Sequence, residues 1–455
     1  MILIILKERV YVYKYLIEIK KLFSITIPII LTQIAYLLIS IINMIISNSF
    51  DKIDMAAISI GTSIWLPLLL FCHGIFLSLI PIITKLHGSN KQRKIIEYVQ
   101  QSYLLSIILS CIMIFILYKA NFFIYLLLTN KILILKVIIF LKIIMWSIPG
   151  YLLLQILRCV CISFSLTMPD MIISWIGVII YIPMNYIFIY GYSYIPSFGN
   201  LGCGLSIVLI YLILTIITMI WMYNSTYFNI KYFSLFNKPN IKILKKLLKL
   251  GIPIGLSIFI EITLFTVVSL FISSMGIDNF VSHQIAQNFN SLIFVIPLSL
   301  SISTTILVGF YLGSGYKNKA KIISWISQII GIILSVFIIL ISFFLKKKIA
   351  SLYNSNINII NLSSKLIFLV SIYQFLYAIQ IIGCGTLKAY KDTKFIFFIT
   401  FISCWVIGLP IGYILSMTNL IINAIGPIGF WIGFIMGLII AVLLIILRII
   451  KIQKD

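Results

Sequence analysis

One acid stands in the middle of a long apolar run: Glu261, inside "LSIFIEITLFTVVSLFI" at 256–272. A carboxylate at the centre of a bilayer helix is disfavoured by about 2.5–3.5 kcal/mol, so it must face the bundle interior and have partners. Ser257 lies one turn before it on the same helix face. A carboxylate placed this way is a site for a proton or a small cation. A protonated glutamate that ties helices together by hydrogen bonds is the structural alternative. The other nine acidic residues fall in loops, tails or span ends.

Other apolar runs carry polar stripes. Gln33, Tyr36, Ser40, Asn43 and Ser47 follow a 3-4-3-4 spacing, which places them along one face of a helix. Tyr373, Tyr377, Gln380 and Cys384 do the same further along, Gln284, Gln287, Asn288 and Ser291 cluster, and Asn185 stands alone. Hydrocarbon cannot satisfy these groups, so as a set they are expected to line a partly polar cavity, with interhelical hydrogen bonding the alternative for any one of them. His87 is expected in a solvated loop. His73 and His283 read as hydrogen-bonded packing residues, since no second metal ligand sits at helical spacing. Prolines 67, 81, 183, 297 and 410 are expected to bend their helices.

The elements that position these residues follow from composition. Of 455 residues, 62% are hydrophobic and 10% charged, too few charges to cover a water-soluble protein of this size. Continuous apolar stretches long enough to cross a bilayer recur from one end to the other, without the alternation of barrel strands. Twelve spans can be laid out, near 22–46, 55–83, 99–118, 133–157, 168–190, 201–223, 251–274, 280–310, 321–345, 358–384, 395–416 and 427–449. The expected fold is an all-α polytopic membrane protein, twelve transmembrane helices in two pseudo-symmetric six-helix lobes. The divisions are a tail at 1–21, a lobe at 22–223, a basic linker at 224–250 and a second lobe with its short tail at 251–455. The linker is expected to end in a short amphipathic surface helix. "MILIIL" is too short for the apolar core of a leader, so no cleaved signal is expected.

The net charge of +24 lies in short loops rather than in a patch or tail, which argues against nucleic acid as a partner. With the N-terminus in the cytoplasm, 25 Lys and Arg fall on the cytoplasmic side and 9 on the other, the asymmetry expected of a chain with both ends inside. The halves also repeat. "TIPIILTQI" at 26–34 and "GIPIGLSIF" at 251–259 are offset by 225 residues, as are "GSNKQRK" at 88–94 and "GSGYKNK" at 313–319. Six spans bring the chain back to the side where it started, so the repeat is parallel. Two facing bundles enclose a cleft, which is the organisation of a transporter. Seven scattered cysteines fit neither a disulfide framework nor a zinc site. No nucleotide-binding loop is present, and Asp51, Asp54 and Asp278 are too dispersed for a catalytic centre.

The order of "IDMAAISIGTSIWLP" (53–67), "IPMNYIFIYG" (182–191), "LGCG" (201–204), "FIEITLFTVV" (259–268), "HQIAQNF" (283–289) and "YKDTKFIFFITFISCWVIGLPIGYIL" (390–415) resembles the multidrug and toxic compound extrusion family, its bacterial NorM-like branch in particular. The likeness covers all but about the first twenty residues. It implies export of bulky, often cationic, drug-like compounds in exchange for sodium ions or protons. It also implies no other cofactor, a bacterial inner-membrane location, membrane lipids as surroundings and a monomer. Within the family pattern the seventh-helix acid matches Glu261, a candidate sodium ligand, and a cation-binding tyrosine matches Tyr373. The tenth-helix aspartate falls on Tyr377 and the first-helix aspartate on Asn43. The fifth-helix asparagine is kept as Asn185, with Tyr181 four residues earlier. The N-terminal lobe is therefore expected to lack a core carboxylate, leaving coupling to Glu261 alone. A facilitator or lipid or metabolite flippase on the same fold, without coupling, is the alternative.

Overall fold

The computed structural model describes all residues except 1, 48–51, 121–123, 126–129, 193–195, 200, 229–231, 233–237, 421–422 and 455, and for 2–14, 44, 47 and 52 the backbone alone. Asp51 and the Ser47 side chain thus lie outside the described residues. The described chain is helical: α1 (Ile2–Ser47), α2 (Lys52–Leu77), α3 (Leu79–Gly88), α4 (Gln92–Lys119), α5 (Lys131–Ile144), α6 (Ser147–Ser163), α7 (Thr167–Tyr190) and α8 (Leu201–Asn224). Then come α9 (Ile241–Ser273), α10 (Ile277–Gly313), α11 (Lys317–Tyr353), α12 (Ile357–Ala389), α13 (Thr393–Phe401), a π-helical stretch (Ile402–Gly408), α14 (Leu409–Met417) and α15 (Pro427–Lys454). Among the described residues, eleven helices or merged helices are long and apolar enough to cross a membrane, and the pair α5 and α6, bent by 41° at its break, makes a twelfth if it counts as one span. The fourth span expected near 133–157 falls on this bent pair.

Two compact units are formed, Leu31–Phe259 and the pairing of Met1–Ile30 with Ile260–Asp455. Both dividing points fall inside a continuous helix, α1 and α9. The short separate helix expected at the end of the linker does not exist as such: α9 runs unbroken from Ile241 through Gly251 and Pro253 into the seventh span. The helix that carries the first span likewise extends back to Ile2.

The repeat is visible in the turns. Asn90 (φ 54°) and Gly315 (φ 84°) end α3 and α10, and Ser165 (φ 62°) and Lys391 (φ 66°) end α6 and α12, at corresponding points of the two halves. Each is followed by a residue whose N–H reaches back five positions: Lys91 to the Leu86 carbonyl, Leu166 to Cys161, Tyr316 to Tyr311 and Asp392 to Leu387, all at 2.9–3.0 Å. This is the left-handed helix ending that satisfies the last orphan carbonyls. Three of the four positions are not glycine and adopt the left-handed conformation all the same.

Proline acts unevenly. Pro67, Pro183 and Pro297 sit inside unbroken helices. Pro81 follows the break at Ser78, where its ring would meet the Leu77 carbonyl four residues back. Pro410 lacks an N–H just where the helix widens into the π stretch. That stretch is fitted to α15 by a glycine stripe. A Cβ at Gly437 would overlap the Ser403 carbonyl oxygen, and one at Gly433 would overlap the backbone of Gly408 and Gly412. Small residues at i and i+4 let two backbones approach this closely.

Candidate functional site

Glu261 lies on α9, partly buried, within the unit that contains α10 to α15. The Tyr377 hydroxyl of α12 stands beside its carboxyl. The Trp405 indole N–H, on the π stretch, donates to the carbonyl of the preceding residue, Ile260, at 3.2 Å, so the backbone beside the acid is pinned from a second side. A small cavity of about 20 Å³ opens at Glu261, lined also by Leu264, Phe265, Tyr373, Ser403, Cys404, Phe434 and Leu438. That volume holds one water molecule or one small cation.

The walls are aromatic and closely fitted. Tyr373 and Tyr377, one turn apart on α12 and both buried, stack with ring centroids 5.7 Å apart and planes 19° apart. Tyr373 meets Trp431 edge-on at 5.6 Å and Phe265 at 6.3 Å, and Phe265 meets Phe434 at 5.3 Å. Such edge-to-face contacts fix ring orientation as well as burying area. The one carboxylate thus sits where a polar lip (Glu261, Tyr373, Ser403) meets a dry aromatic wall.

Glu261 and Tyr373 line one cavity, and Tyr377 lies beside Tyr373 on the same face of α12. Gln380, one turn further along α12, is buried with its Oε1 unpartnered among the described residues, and it does not line the cavity. Gln284 and Gln287 on α10 are partly buried, and Gln287 Oε1 is also unpartnered among the described residues. Ser403 and Cys404 were not singled out from sequence. Their signal was the proline at 410, whose missing N–H favours the wider winding that turns them inward.

In the other unit, Asn185 Nδ2 donates to Asn43 Oδ1 at 3.5 Å, while Asn185 Oδ1 and the Tyr181 hydroxyl are buried without a partner among the described residues. Tyr36 belongs to a different cluster: the Arg158 guanidinium lies 4.5 Å from its ring centroid. Arg158 is buried and paired with Asp170, which is buried too. The expectation of an N-terminal lobe without a core carboxylate is thereby corrected. Asp170 is at the end of its span by sequence, yet it is covered because α6 supplies an arginine to receive it. Glu18 is a second acid that is not at the surface; it accepts from the Tyr311 hydroxyl at 2.6 Å.

His73 Nδ1 lies 3.1 Å from the Tyr151 hydroxyl and His283 Nε2 3.3 Å from Ser269 Oγ, the hydrogen-bonded packing roles expected of them. His87 is not in a solvated loop: it ends α3, half-covered, its ring 4.5 Å from Phe164.

Comparison with known proteins places this arrangement. The MatE family model matches residues 28–187 and again 253–414, once for each half of the repeat. The chain is 39% identical over 420 residues to the "Multidrug resistance protein MdtK" of Pectobacterium atrosepticum, covering 92% of each. It is 39% identical over 421 residues to MdtK of Yersinia pestis, again covering 92% of each. Its fold matches a Vibrio cholerae MATE transporter with a TM-score of 0.87 at 16% identity, covering 97% of this chain and 98% of that one. A multidrug resistance MATE family transporter solved in an outward-facing conformation matches with a TM-score of 0.84 at 18% identity, covering 96% and 97%.

Proposed function

This chain belongs to the MatE family, and on that premise we propose that it exports bulky, often cationic, drug-like compounds across the bacterial inner membrane, driven by entry of sodium ions or protons. Support for the exported compounds comes from the multidrug resistance proteins it resembles along nearly its whole length. Support for the coupling comes from one observation, the cavity at Glu261 lined by Tyr373 and Ser403.

Glu261 is the residue that takes the coupling cation, and Tyr373 stands beside it with an oxygen and a π face. In the described part of this cavity the only other side-chain oxygen is that of Ser403. A lone carboxylate is sufficient energetically. One charge entering down a potential of about 150 mV supplies roughly 3.5 kcal/mol, enough for a gradient of several hundredfold in a neutral substrate. Asn43, Asn185, Tyr36, Tyr377, Gln380, Gln284 and Gln287 supply the polar groups of the transport path. The lobes are 22–223 and 251–455 with the basic linker 224–250 between them. The chain works as a monomer with both termini in the cytoplasm, the side on which its Lys and Arg accumulate.

The test is drug accumulation in a pump-deficient host with sodium and pH varied separately, comparing the native chain with Glu261→Gln. Loss of gradient-driven ethidium export in the variant is the expected result. Export at the native rate would end the proposal. Asn43 and Tyr377, where the family carries aspartates, favour a second reading, an uncoupled facilitator or flippase. In proteoliposomes a facilitator equilibrates its substrate and never concentrates it, whereas the exporter does.

A further inference from the structure

We propose that the basic face formed by the first turns of α4 and α9 is a binding site for the phosphate headgroup of an anionic membrane lipid. Lys242, Lys245, Lys246 and Lys249 are all exposed and fall at i, i+3, i+4 and i+7, one stripe along α9, while Ile243 and Leu247 on the other face are buried. Lys91, Arg93 and Lys94 are exposed at the start of α4. The start of α9 is fastened to α4. Gln101 of α4 donates through Nε2 to the Lys238 carbonyl at 3.0 Å and accepts through Oε1 from the Asn240 N–H at 2.9 Å. Asn240 in turn caps α9, its Oδ1 accepting from the Lys242 and Ile243 N–H groups. The Lys246 ammonium lies 5.8 Å from the Tyr98 ring centroid of α4. All of these residues belong to one compact unit.

None of the seven cations is in any of the four ion pairs found among the described residues. The only carboxylate in 91–97 or 238–249 is Glu97. Seven positive charges on two fastened helices repel one another, and a bound anion relieves that repulsion. The depth of the face says which anion. A helix of 33 residues such as α9 is about 50 Å long, against a hydrocarbon core of about 30 Å, so its first turns stand in the headgroup layer. The lysine stripe also runs on, three residues past Lys249, into exposed Ile252, an apolar surface suited to an acyl chain and of no use to a soluble anion. Orientation by positive charge needs only the number of Lys and Arg. A built site needs the α9 lysines held in place, and Gln101 does that by fastening the start of α9 to α4.

Native mass spectrometry of the full-length transporter, taken from micelles holding equal phosphatidylglycerol and phosphatidylcholine, tests the proposal. The native chain should retain the anionic lipid over the zwitterionic one by about tenfold or more, since each basic side chain adds about fivefold. The combined variant Lys242→Gln, Lys245→Gln, Lys246→Gln, Lys249→Gln should lose that preference, whereas Lys346→Gln, Lys347→Gln, Lys348→Gln should keep it. Gln101→Ala keeps every charge and should still lower the preference several-fold. It also serves if the fourfold variant fails to insert. Equal retention of both lipids by the native chain would overturn the proposal. So would a loss in the 346–348 variant as large as in the α9 variant, an unchanged preference in Gln101→Ala, or displacement of the lipid by inorganic phosphate, which would assign the face to a free anion.

Discussion

Arg158 Nε donates to Asp170 Oδ1 at 2.7 Å and Nη2 donates to Oδ2 at 3.2 Å, a two-pronged pair buried between α6 and α7. The Tyr36 ring of α1 lies 4.5 Å from the guanidinium carbon, so three helices meet at one charge. Removing one partner strands the other charge in a dry site, which costs about 3–5 kcal/mol. Arg158→Met and Asp170→Leu should each lower the melting temperature in detergent sharply, while the double variant regains most of it. Single variants that melt with the native protein would show the pair to be idle. Arg158→Lys should rescue little, because an ammonium cannot make both bonds.

Tyr377 stands where its hydroxyl can donate to the charged Glu261 carboxylate, a bond of a kind worth about 1.5–3 kcal/mol. Tyr377→Phe takes that stabilisation from the empty, charged acid and leaves the cation-loaded form untouched. The variant should therefore bind its coupling cation more tightly, by about tenfold or more, and release it more slowly. Half-maximal export should move to lower sodium or proton concentration with a reduced maximal rate. A shift to higher concentration would mean that the hydroxyl is itself a ligand of the cation.

Much of this was legible from residue type and spacing. Glu261 was singled out because an acid in a membrane helix must have partners, and Tyr373 and Tyr377 because a 3-4 spacing puts them on one face. The duplication was legible because helix-ending turns keep their polar residues at fixed offsets. What stayed hidden depends on pairing between distant segments. Arg158 looks like an ordinary loop cation, and Asp170 like an ordinary span end, until α6 and α7 lie side by side. Ser403 and Cys404 look like filler because a π-helical turn changes which residues share a face, and period 3.6 cannot anticipate that. The fusion of linker helix and seventh span was missed because the linker was set to end at 250, although α9 continues through Gly251 and Pro253.

Gly437 holds Ser403 and Cys404 at the cavity by letting α15 close against the π stretch. A Cβ there would overlap the Ser403 carbonyl oxygen, a backbone atom that cannot swing aside as a side chain would. Gly437→Ala should destabilise the protein by about 1–3 kcal/mol, the range for overpacked sites. Cation-dependent export should fall with it, since Ser403 and Cys404 must move. Gly199→Ala, where no atom lies within 4 Å but φ is +57°, provides a comparison in which strain is local to a turn and export cation dependence stays native.

Orientation follows from the charge asymmetry and can be read with reporters. Fusion of a fluorescent protein to the C-terminus should glow, and fusion of a periplasmic phosphatase there should be inactive, with the opposite pattern for fusions placed after Ile277. An active phosphatase at the C-terminus would invert the whole arrangement and put the basic face of α4 and α9 outside.

Asn43 faces Asn185, whose Nδ2 donates to it at 3.5 Å while Asn185 Oδ1 has no partner among the described residues. An amide at 43 can accept that bond but cannot carry charge. Asn43→Asp keeps the acceptor and adds a carboxylate that the family pattern places there, so each transport cycle can carry a second cation inward. For a substrate of no net charge, each extra cation adds about 2.3 kcal/mol per 100 mV, or about fiftyfold in the gradient sustained at that potential. Proteoliposomes clamped at a series of potentials should show the logarithm of the substrate gradient rising about twice as steeply with voltage in the variant as in the native chain. An unchanged slope would mean that the second carboxylate takes no part in the cycle, and that the Asn43–Asn185 contact is interhelical packing and nothing more.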